Sequence, residues 1–328
     1  MTNRPLSKKE TAPFIIIQPG DLFNSYGKCN FSLTRPATNL NNIKIESSFK
    51  KQKDKYPKNY TLKLFYNDKV MKKVKTLGEG GYGKVVLYQL VDGNNIRNVV
   101  VKMPFDDPCE EPKILKEYMK KASVCNHYVI PIRSVEDQHG NPFIIMQEAN
   151  GSLEELDMDN RLKIKIIIQL TKIIKCFYNN GFVYTDLKKA NILYRCKDEK
   201  IEFYLGDIGS FSELGKNDKD EDISPASFPP PEYAGEKTMK VDKNLSIYTL
   251  GATIADLYDL SDDLYASDKD GHMYTSNEMK KENVPDFHKK VKNSNIPNEV
   301  KEIILAFTTI SPKKRLSYDF QLVFDKLC

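Results

Sequence analysis

The 328-residue chain has no tryptophan and is poor in glycine (16), proline (17) and histidine (4). The low glycine and proline content excludes a collagen-like or low-complexity protein. Apolar runs such as Phe14–Ile17 are far shorter than the ~20 residues of a membrane-spanning helix. Residues 1–20 also lack an apolar stretch long enough for a signal peptide. We therefore expect no membrane span and a cytoplasmic or other intracellular protein.

Metal-binding cysteine motifs are also missing. No two cysteines form a CxxC pair, and no histidine lies at metal-ligand spacing from one, which excludes a common structural zinc site. In a chain of this length, scattered cysteines predict free thiols in a reducing compartment. The prediction covers all six: Cys29, Cys109, Cys125, Cys176, Cys196 and Cys328.

The charge of the chain is unevenly distributed. Residues 1–70 carry 13 Lys or Arg and 5 Asp or Glu, a net charge of +8, whereas the whole chain carries +5. The remaining body is therefore slightly acidic, at −3. A basic extension can bind an anionic partner such as nucleic acid, a membrane surface or an acidic protein. The alternative is a solvated, lysine-rich surface.

The apolar content of 40% is sufficient for a buried core. Residues 1–60 are expected to be largely irregular, with one candidate strand at Pro13–Gln18. Runs rich in β-branched and aromatic residues, separated by turn signals, then predict strands. They lie at Tyr60–Tyr66, Lys72–Leu77, Val85–Val91, Val99–Met103, Val129–Val135 and Pro142–Met146. One helix, with Pro112 in its first turn, is expected after the fourth of them.

The second half of the chain is mainly helical by pattern. Apolar residues recur at helical spacing in Leu162–Tyr178, Leu245–Leu260 and Val300–Thr308. A pair of strands, Ile192–Tyr194 and Ile201–Leu205, interrupts them. The fold class is therefore α+β, with a β-rich first part and a helical second part.

A glycine-rich motif follows the second predicted strand. Its glycines let the backbone turn tightly and approach a phosphate group. The loop opens into a strand rather than a helix, which favours the type found in protein kinases over a dinucleotide-binding loop. With its flanking residues, the candidate nucleotide-binding loop is Leu77, Gly78, Glu79, Gly80, Gly81, Tyr82, Gly83, Lys84 and Val85.

Lys102 ends the apolar strand Val99–Met103, where its charge needs an anionic partner or a polar cleft. One hairpin after the glycine-rich loop, it is a candidate phosphate-binding lysine. Glu111, at the start of the following helix, is the predicted partner that holds it. Glu110 and Glu117 are alternatives because the register of the helix is open.

Three polar side chains share a short loop between apolar anchors. Asp186, Lys188 and Asn191 have the spacing DxKxxN and precede an Ile-Leu pair. A carboxylate, an ammonium group and an amide in one loop can orient a hydroxyl, neutralise a transferring phosphoryl group and bind a metal. Asp207, on the neighbouring strand of a hairpin, can share Mg²⁺ with Asn191. Glu232 and Arg315 are expected to form a buried ion pair.

In this order, these residues resemble the landmarks of the eukaryotic-type protein kinase family over about residues 70–328. The resemblance implies a bilobal protein-kinase-like fold that binds ATP and Mg²⁺ between its lobes. It further implies a basic extension at 1–70, a β-rich N-lobe at 71–147 and a helical C-lobe at 148–328. The connection that binds adenine would comprise Met146, Gln147, Glu148 and Ala149, with Met146 as gatekeeper.

The resemblance also implies the role of each site residue. Asp186 would accept the proton of the substrate hydroxyl, and Lys188 would stabilise the γ-phosphoryl group. Asn191 and Asp207 would hold Mg²⁺, while Lys102, clamped by Glu111, would position the α- and β-phosphates. Lysine at position 188 is typical of Ser/Thr kinases. The implied partners are thus ATP and a protein with Ser or Thr acceptors, and a monomer is expected.

Several positions depart from the family pattern. Tyr184-Thr185 stands where His-Arg is usual, so the arginine that pairs with a phosphorylated activation segment is missing. Activity is therefore expected without phosphorylation of that segment. Ser246 replaces the usual Asp of the long apolar helix, and Pro225 replaces a Thr of the segment, which places substrate docking there in doubt. Such divergence resembles kinases of large DNA viruses, parasites or bacterial effectors; a viral protein would lie in the host cytoplasm or the virion.

Two alternatives remain open. A pseudokinase acting as a nucleotide-binding scaffold would explain the changes at Tyr184, Thr185 and Ser246. A small-molecule kinase of the aminoglycoside or choline type would share Asp186, Asn191 and Asp207. Such enzymes usually lack the lysine at 188 and the Glu232–Arg315 pair, both of which are present.

Overall fold

The computed structural model describes most of the chain. The residues that it describes are 38–48, 60–80, 83–104, 111–197, 200–216, 227–233, 240–264 and 277–328. Within them, the amino-terminal part is β-rich and the carboxy-terminal part is helical, as expected. The candidate strand at Pro13–Gln18 lies outside the described residues, as do Cys29, Cys109, Glu110 and Pro225.

The amino-terminal part contains an antiparallel seven-stranded sheet in the order β1-β2-β3-β4-β5-β7-β6. Its longest hairpin joins β4 to β5, with Asp92 opposite Asn95 and Gly93 in the left-handed region at φ 60°. This confirms the predicted turn. The strands are β1 (Ile43–Ser47), β2 (Leu62–Tyr66), β3 (Lys69–Gly80), β4 (Gly83–Asp92), β5 (Asn95–Pro104), β6 (Ile132–Glu136) and β7 (Pro142–Met146).

The sheet begins earlier than the irregular extension expected from the sequence. Ile43 and Ile45 alternate with Lys44 and Glu46, and β1 pairs with β2 with Ile45 opposite Leu64. The expectation of an irregular chain before residue 60 is therefore wrong for β1. Five alternating residues among polar and basic neighbours are too short a pattern to predict a strand. The sheet thus includes part of the chain before residue 70.

A glutamine joins the two ends of this sheet. Ser47 of β1 donates its backbone N–H to Gln138 Oε1 at 2.9 Å, and Gln138 Nε2 donates to the carbonyl of Ser47 at 2.7 Å. Gln138 lies in the turn between β6 and β7, at the opposite end of the strand order. The curled sheet encloses one of the hydrophobic clusters, which includes Leu64, Val86, Val101 and Phe143.

Helix α1 (Glu111–Lys121) follows β5, with Pro112 in its first turn as predicted. The long apolar segments form α2 (Asn160–Asn179), α3 (Lys243–Asp256) and α5 (Asn298–Phe307). Asp159 and Asp242 cap α2 and α3 by accepting the N–H of Leu162 and Leu245. Helices that the pattern did not predict are α4 (Asn277–Asn293), α6 (Pro312–Leu316) and α7 (Gln321–Leu327).

Helix α3 lies at the centre of the helical part. Its residues from Asn244 to Asp256 are all buried. At Gly251, an added Cβ would lie 2.5 Å from Cβ of Phe307, so glycine permits the close approach of α5. None of the helices in the described residues combines the length and apolarity needed to cross a bilayer.

Short strands carry the loops of the site. β10 (Ile192–Lys197) lies between β8 (Gly151–Ser152) and β11 (Lys200–Leu205), and β9 (Phe182–Tyr184) pairs with β12 (Phe211–Glu213). The β10–β11 hairpin places Ile192 opposite Leu205. The turns before β10 and after β11 therefore lie side by side.

Two of the six cysteines form a disulfide. Cys125, in the 3-10 helix Ser123–Tyr128, is bonded to Cys176 of α2, with their Cα atoms 6.1 Å apart. The expectation of six free thiols is therefore wrong for this pair. The two residues are 51 positions apart in sequence, so only packing of the 3-10 helix against α2 brings them together. Cys328 is an exposed thiol.

Candidate active site

Asp186 lies in the loop between β9 and β10, and only 7% of it is exposed. Its carboxylate accepts a hydrogen bond from Asn191 Nδ2 at 2.9 Å and forms an ion pair with Lys188 Nζ at 2.9 Å. Asn191 also donates to the carbonyl of Asp186 at 2.8 Å. The three polar residues of the DxKxxN pattern are thus one hydrogen-bonded group.

Ser227 joins this group, although the sequence assigned it no role. Its backbone N–H donates to Asp186 Oδ1 at 2.9 Å, and its hydroxyl accepts from Lys188 Nζ at 2.9 Å. The sequence showed Pro225 at the position of the expected threonine. The signal that could have identified Ser227 is its hydroxyl, two residues after Pro225. A loop can shift its register by two residues and still bring a hydroxyl to Lys188.

Lys102 and Asp207 form a second pair beside the first group. Lys102 Nζ lies 2.8 Å from Asp207 Oδ1, and Asp207 Oδ2 accepts from Ser210 Oγ at 2.9 Å. Asp207 has φ 26°, which is unusual for a residue other than glycine and often marks functional backbone. Strand pairing places Lys102 opposite Val85, at the end of the glycine-rich loop.

The β10–β11 hairpin brings the two candidate Mg²⁺ ligands to adjacent turns. Gly206, next to Asp207, donates its N–H to the carbonyl of Asn191 at 2.8 Å. One carboxylate and one amide suit a hard cation that completes its shell with phosphate and water oxygens. Within the described residues, no group of three or more His, Cys, Asp and Glu is able to hold a metal. We call Lys102, Asp186, Lys188, Asn191 and Asp207 the polar cluster.

The predicted partner of Lys102 lies on α1. Glu111 begins α1, and its side chain is outside the described part. Glu117 is exposed and lies one helical turn before Lys121, on the same side of α1. Lys102 contacts Asp207, and its pairing with Glu111 stays a prediction.

The glycine-rich loop spans the end of β3 and the start of β4. Lys84 pairs with Glu79 across the hairpin at 3.0 Å, while Gly81 and Tyr82 lie outside the described residues. Among the described residues, no atom lies within 4 Å of the place where a Cβ of Gly78 would be. Leu77 is exposed despite its apolar side chain. Nucleotide binding by this loop stays a prediction.

The predicted adenine-binding connection runs from Met146, the last residue of β7, to β8. Gln147 donates its backbone N–H to the carbonyl of Pro131 at 2.9 Å, and its Oε1 accepts from Arg195 at 2.5 Å. Glu148 accepts from Asn98 Nδ2 at 2.5 Å. These bonds tie the connection to both the sheet and β10, whereas adenine binding by it and by Ala149 stays a prediction.

Residues that depart from the family pattern are well packed. Thr185 is fully buried, and its N–H and hydroxyl both donate to the carbonyl of Ser210, at 2.8 and 3.0 Å. The Tyr184 hydroxyl donates to the carbonyl of Gly206 at 3.2 Å. Ile208 belongs to the core cluster. These substitutions therefore hold the Asp207 turn against the loop that carries Asp186.

The segment after Asp207 is attached to α1 by charge. Lys121, in the last turn of α1, donates to Glu213 of β12. This hydrogen bond holds the pKa of Glu213 below its ordinary value of 4.5, against the opposing effect of burial. The pair joins the start of this segment to the last turn of α1.

The predicted Glu232–Arg315 ion pair is confirmed. Arg315 is fully buried, and its two terminal nitrogens lie 2.5 and 3.1 Å from the two carboxylate oxygens of Glu232. Arg315 also donates to the carbonyl of Thr309 at 2.7 Å and stacks on Tyr248 of α3, 4.9 Å from the ring centroid. We call Glu232 and Arg315 the anchor pair.

Two comparisons place the chain among known proteins. The family model described as "Protein kinase domain" matches residues 71–325. A protein of Dictyostelium discoideum named "Probable serine/threonine-protein kinase" is 30% identical over 188 residues, which cover 54% of this chain. The match spans only 13% of that relative's own length. Since the family model covers most of the sequence, the chain belongs to the protein kinase family.

Proposed function

We propose that this chain is an active Ser/Thr protein kinase that uses Mg·ATP. The observation that carries the proposal is the contact of Asp186 with Lys188 and Asn191, next to the Lys102–Asp207 pair. When bound, Mg·ATP supplies the phosphoryl group for transfer and the Mg²⁺ ion, which Asn191 and Asp207 would coordinate. Lys102 would hold the α- and β-phosphates against the glycine-rich loop.

Asp186 would orient the acceptor hydroxyl and take its proton. Both of its carboxylate oxygens already accept hydrogen bonds, from Ser227 and Asn191, so the orientation of the carboxylate is set before a substrate arrives. Lys188 lies 2.9 Å from that carboxylate, where its ammonium group can neutralise charge on the transferring phosphoryl group. Preorganisation of this kind supplies most of the catalysis in phosphoryl transfer.

The proposal includes independence from phosphorylation of the activation segment. Thr185 replaces the arginine that would bind a phosphate and is instead buried against Ser210. The Lys121–Glu213 pair and the pairing of β12 with β9 already attach the start of the segment. Activity should therefore persist after treatment with a phosphatase. Loss of activity on that treatment would contradict this part of the proposal.

The remaining expectations belong to the same proposal: an intracellular monomer whose basic extension binds an anionic partner. The whole proposal is tested by incubating the full chain with Mg·ATP and a library of Ser, Thr and Tyr peptides. We expect phosphate on Ser and Thr above the level given by Asp186→Asn. Turnover equal to that variant would indicate a pseudokinase, and transfer to Tyr peptides alone would overturn the assigned specificity.

A further inference from the structure

The loop from Thr185 to Asn191, which we call the catalytic loop, rests on helix α3. We propose that Thr253 and Asp256 of α3 are positioning residues that hold this loop for phosphoryl transfer. The purpose assigned to the contact rests on the proposed kinase function, whereas the contact itself is geometric. The two residues are three positions apart, on one face of the helix.

Thr253 makes the first contact. It is fully buried, and its hydroxyl lies 2.8 Å from the carbonyl oxygen of Leu187, the residue between Asp186 and Lys188. The same hydroxyl lies 2.7 Å from the carbonyl of Thr249, one helical turn earlier. A hydroxyl has one hydrogen, so it is shared between the two acceptors. Without it, the buried carbonyl of Leu187 would lose this donor.

Asp256 makes the second contact. Only 4% of it is exposed, and its Oδ1 accepts from Ser261 Oγ at 2.9 Å. Its Oδ2 lies 3.4 Å from the backbone nitrogen of Lys189, and the ammonium group of Lys189 lies 3.4 Å from Oδ1. A buried carboxylate requires such partners, because its charge is otherwise strongly disfavoured away from water.

These contacts lie on either side of Lys188. Leu187 is held through its carbonyl and Lys189 through its N–H and side chain, so the backbone that carries Lys188 is fixed at both neighbours. The position where the family usually has Asp does not do this. Ser246 donates weakly, at 3.5 Å, to the carbonyl of Asp242 within its own helix. The catalytic loop is therefore held by Thr253 and Asp256, which lie two or more helical turns after Ser246 in α3.

Thr249 offers a matched control for Thr253. Both are buried threonines of α3 whose hydroxyls donate to carbonyls one turn earlier, and Thr249 Oγ1 lies 2.9 Å from the carbonyl of Leu245. The Thr253 hydroxyl also contacts the carbonyl of Leu187 in the catalytic loop, whereas the Thr249 hydroxyl contacts the carbonyls of Leu245 and Ser246 within α3. Replacement by valine keeps the shape and removes the hydroxyl. A difference between the two variants therefore reports the bond to Leu187.

The experiment measures amide hydrogen exchange in peptides that cover residues 185–191 of the full chain. Thr253→Val is expected to speed exchange there by about 3- to 10-fold, the loss of roughly one hydrogen bond. Thr249→Val should leave the rate unchanged, and Thr253→Ser should restore it. Equal rates for the two valine variants would overturn the proposal. If Thr253→Val does not fold by circular dichroism, Asp256→Ala decides, because it removes the acceptor of the Lys189 N–H and unchanged exchange at Lys189 would overturn the proposal.

Turnover provides a separate readout. In the kinase assay, Thr253→Val should lower kcat by about 3- to 10-fold with the KM for ATP unchanged, because its contact lies at the loop and not at the glycine-rich strands. A fall in activity matched by Thr249→Val would indicate a general effect on α3 and contradict the positioning role. Absence of turnover in the wild type would overturn the proposed function, while the exchange rates would still decide whether α3 holds the loop.

Discussion

The polar cluster and the anchor pair both join positively and negatively charged side chains, but they differ in how far these side chains are exposed to solvent. Arg315 is fully buried, contacts both oxygens of Glu232 and donates to a backbone carbonyl as well. In the polar cluster, the side chains of Lys102 and Asp207 are 18% and 34% exposed, and one oxygen of Asp207 contacts the lysine. The arginine of the anchor pair is thus closed to solvent, whereas the Lys102–Asp207 pair of the polar cluster is partly open to it.

We expect this difference to separate charges that stabilise the fold from charges that serve the proposed chemistry. A buried pair costs desolvation energy that its hydrogen bonds only offset, so removing one partner leaves an uncompensated charge. A partly exposed pair loses little stability when broken, because water solvates the remaining group. Each substitution below tests whether a residue stabilises the fold or serves the proposed chemistry.

Asp186→Asn should have the largest effect on turnover. The amide keeps the shape but cannot take a proton, so we expect kcat to fall by at least about 100-fold with little change in thermal stability. Peptide phosphorylation and the midpoint of thermal unfolding, measured on the same sample, check this. A large loss of stability would instead place Asp186 with the structural charges.

Arg315→Leu should have the largest effect on stability. It leaves Glu232 unpaired, and we expect a loss of about 3–5 kcal/mol in the free energy of unfolding. Denaturant unfolding measures it. The matched control is Lys326→Met, which breaks the exposed pair with Glu302 and should leave the midpoint unchanged. A stable Arg315→Leu protein would show that the anchor pair is dispensable for the fold.

Lys102→Met should lower kcat/KM for ATP by about 100-fold, since the ammonium group is expected to position the phosphates. Its stability should stay close to that of the wild type. Lys69→Met is the control, because Lys69 pairs with Asp92 in the same sheet, also at 2.8 Å, but far more exposed. Equal effects of the two substitutions on turnover would remove Lys102 from the proposed site.

The Lys121–Glu213 pair should give the smallest effect, and its pH dependence has a definite sign. The pKa of Glu213 is lowered in the fold, so the stabilisation is present above its ordinary value of 4.5 and is lost as the pH falls through the folded pKa. We expect Glu213→Gln to unfold at a lower temperature than the wild type at pH 7. The difference between the two unfolding temperatures should become smaller at about pH 4. A difference that does not change with pH would show that the carboxylate of Glu213 does not cause it.

Much of the helical core could be predicted because its pattern is long. α2 and α5 lie within two residues of the bounds expected from apolar spacing, whereas α3 ends four residues before the expected Leu260. The charged helix α4 and the short α6 and α7 were not predicted, since their stability comes from packing rather than from a continuous apolar face. Strand β1 was missed because five residues carry too little periodicity.

The chemistry of the candidate site was readable because it is local. Asp186, Lys188 and Asn191 lie within six consecutive residues, and the structure joins them by direct hydrogen bonds. The predicted Glu232–Arg315 pair is confirmed, although its halves are 83 positions apart and each means little alone. The clamp of Lys102 by Glu111 stays a prediction, since a helix register cannot be read from isolated glutamates.

The sequence by itself therefore determined the residue types of the polar cluster, their order and the family to which the chain belongs. Only the tertiary structure decided which distant groups support them. Ser227, Thr253 and the Cys125–Cys176 disulfide make contacts 39, 66 and 51 residues away in sequence. A hydroxyl or thiol at such a distance has no periodicity or motif of its own, so its partner is set only when the helices and loops pack.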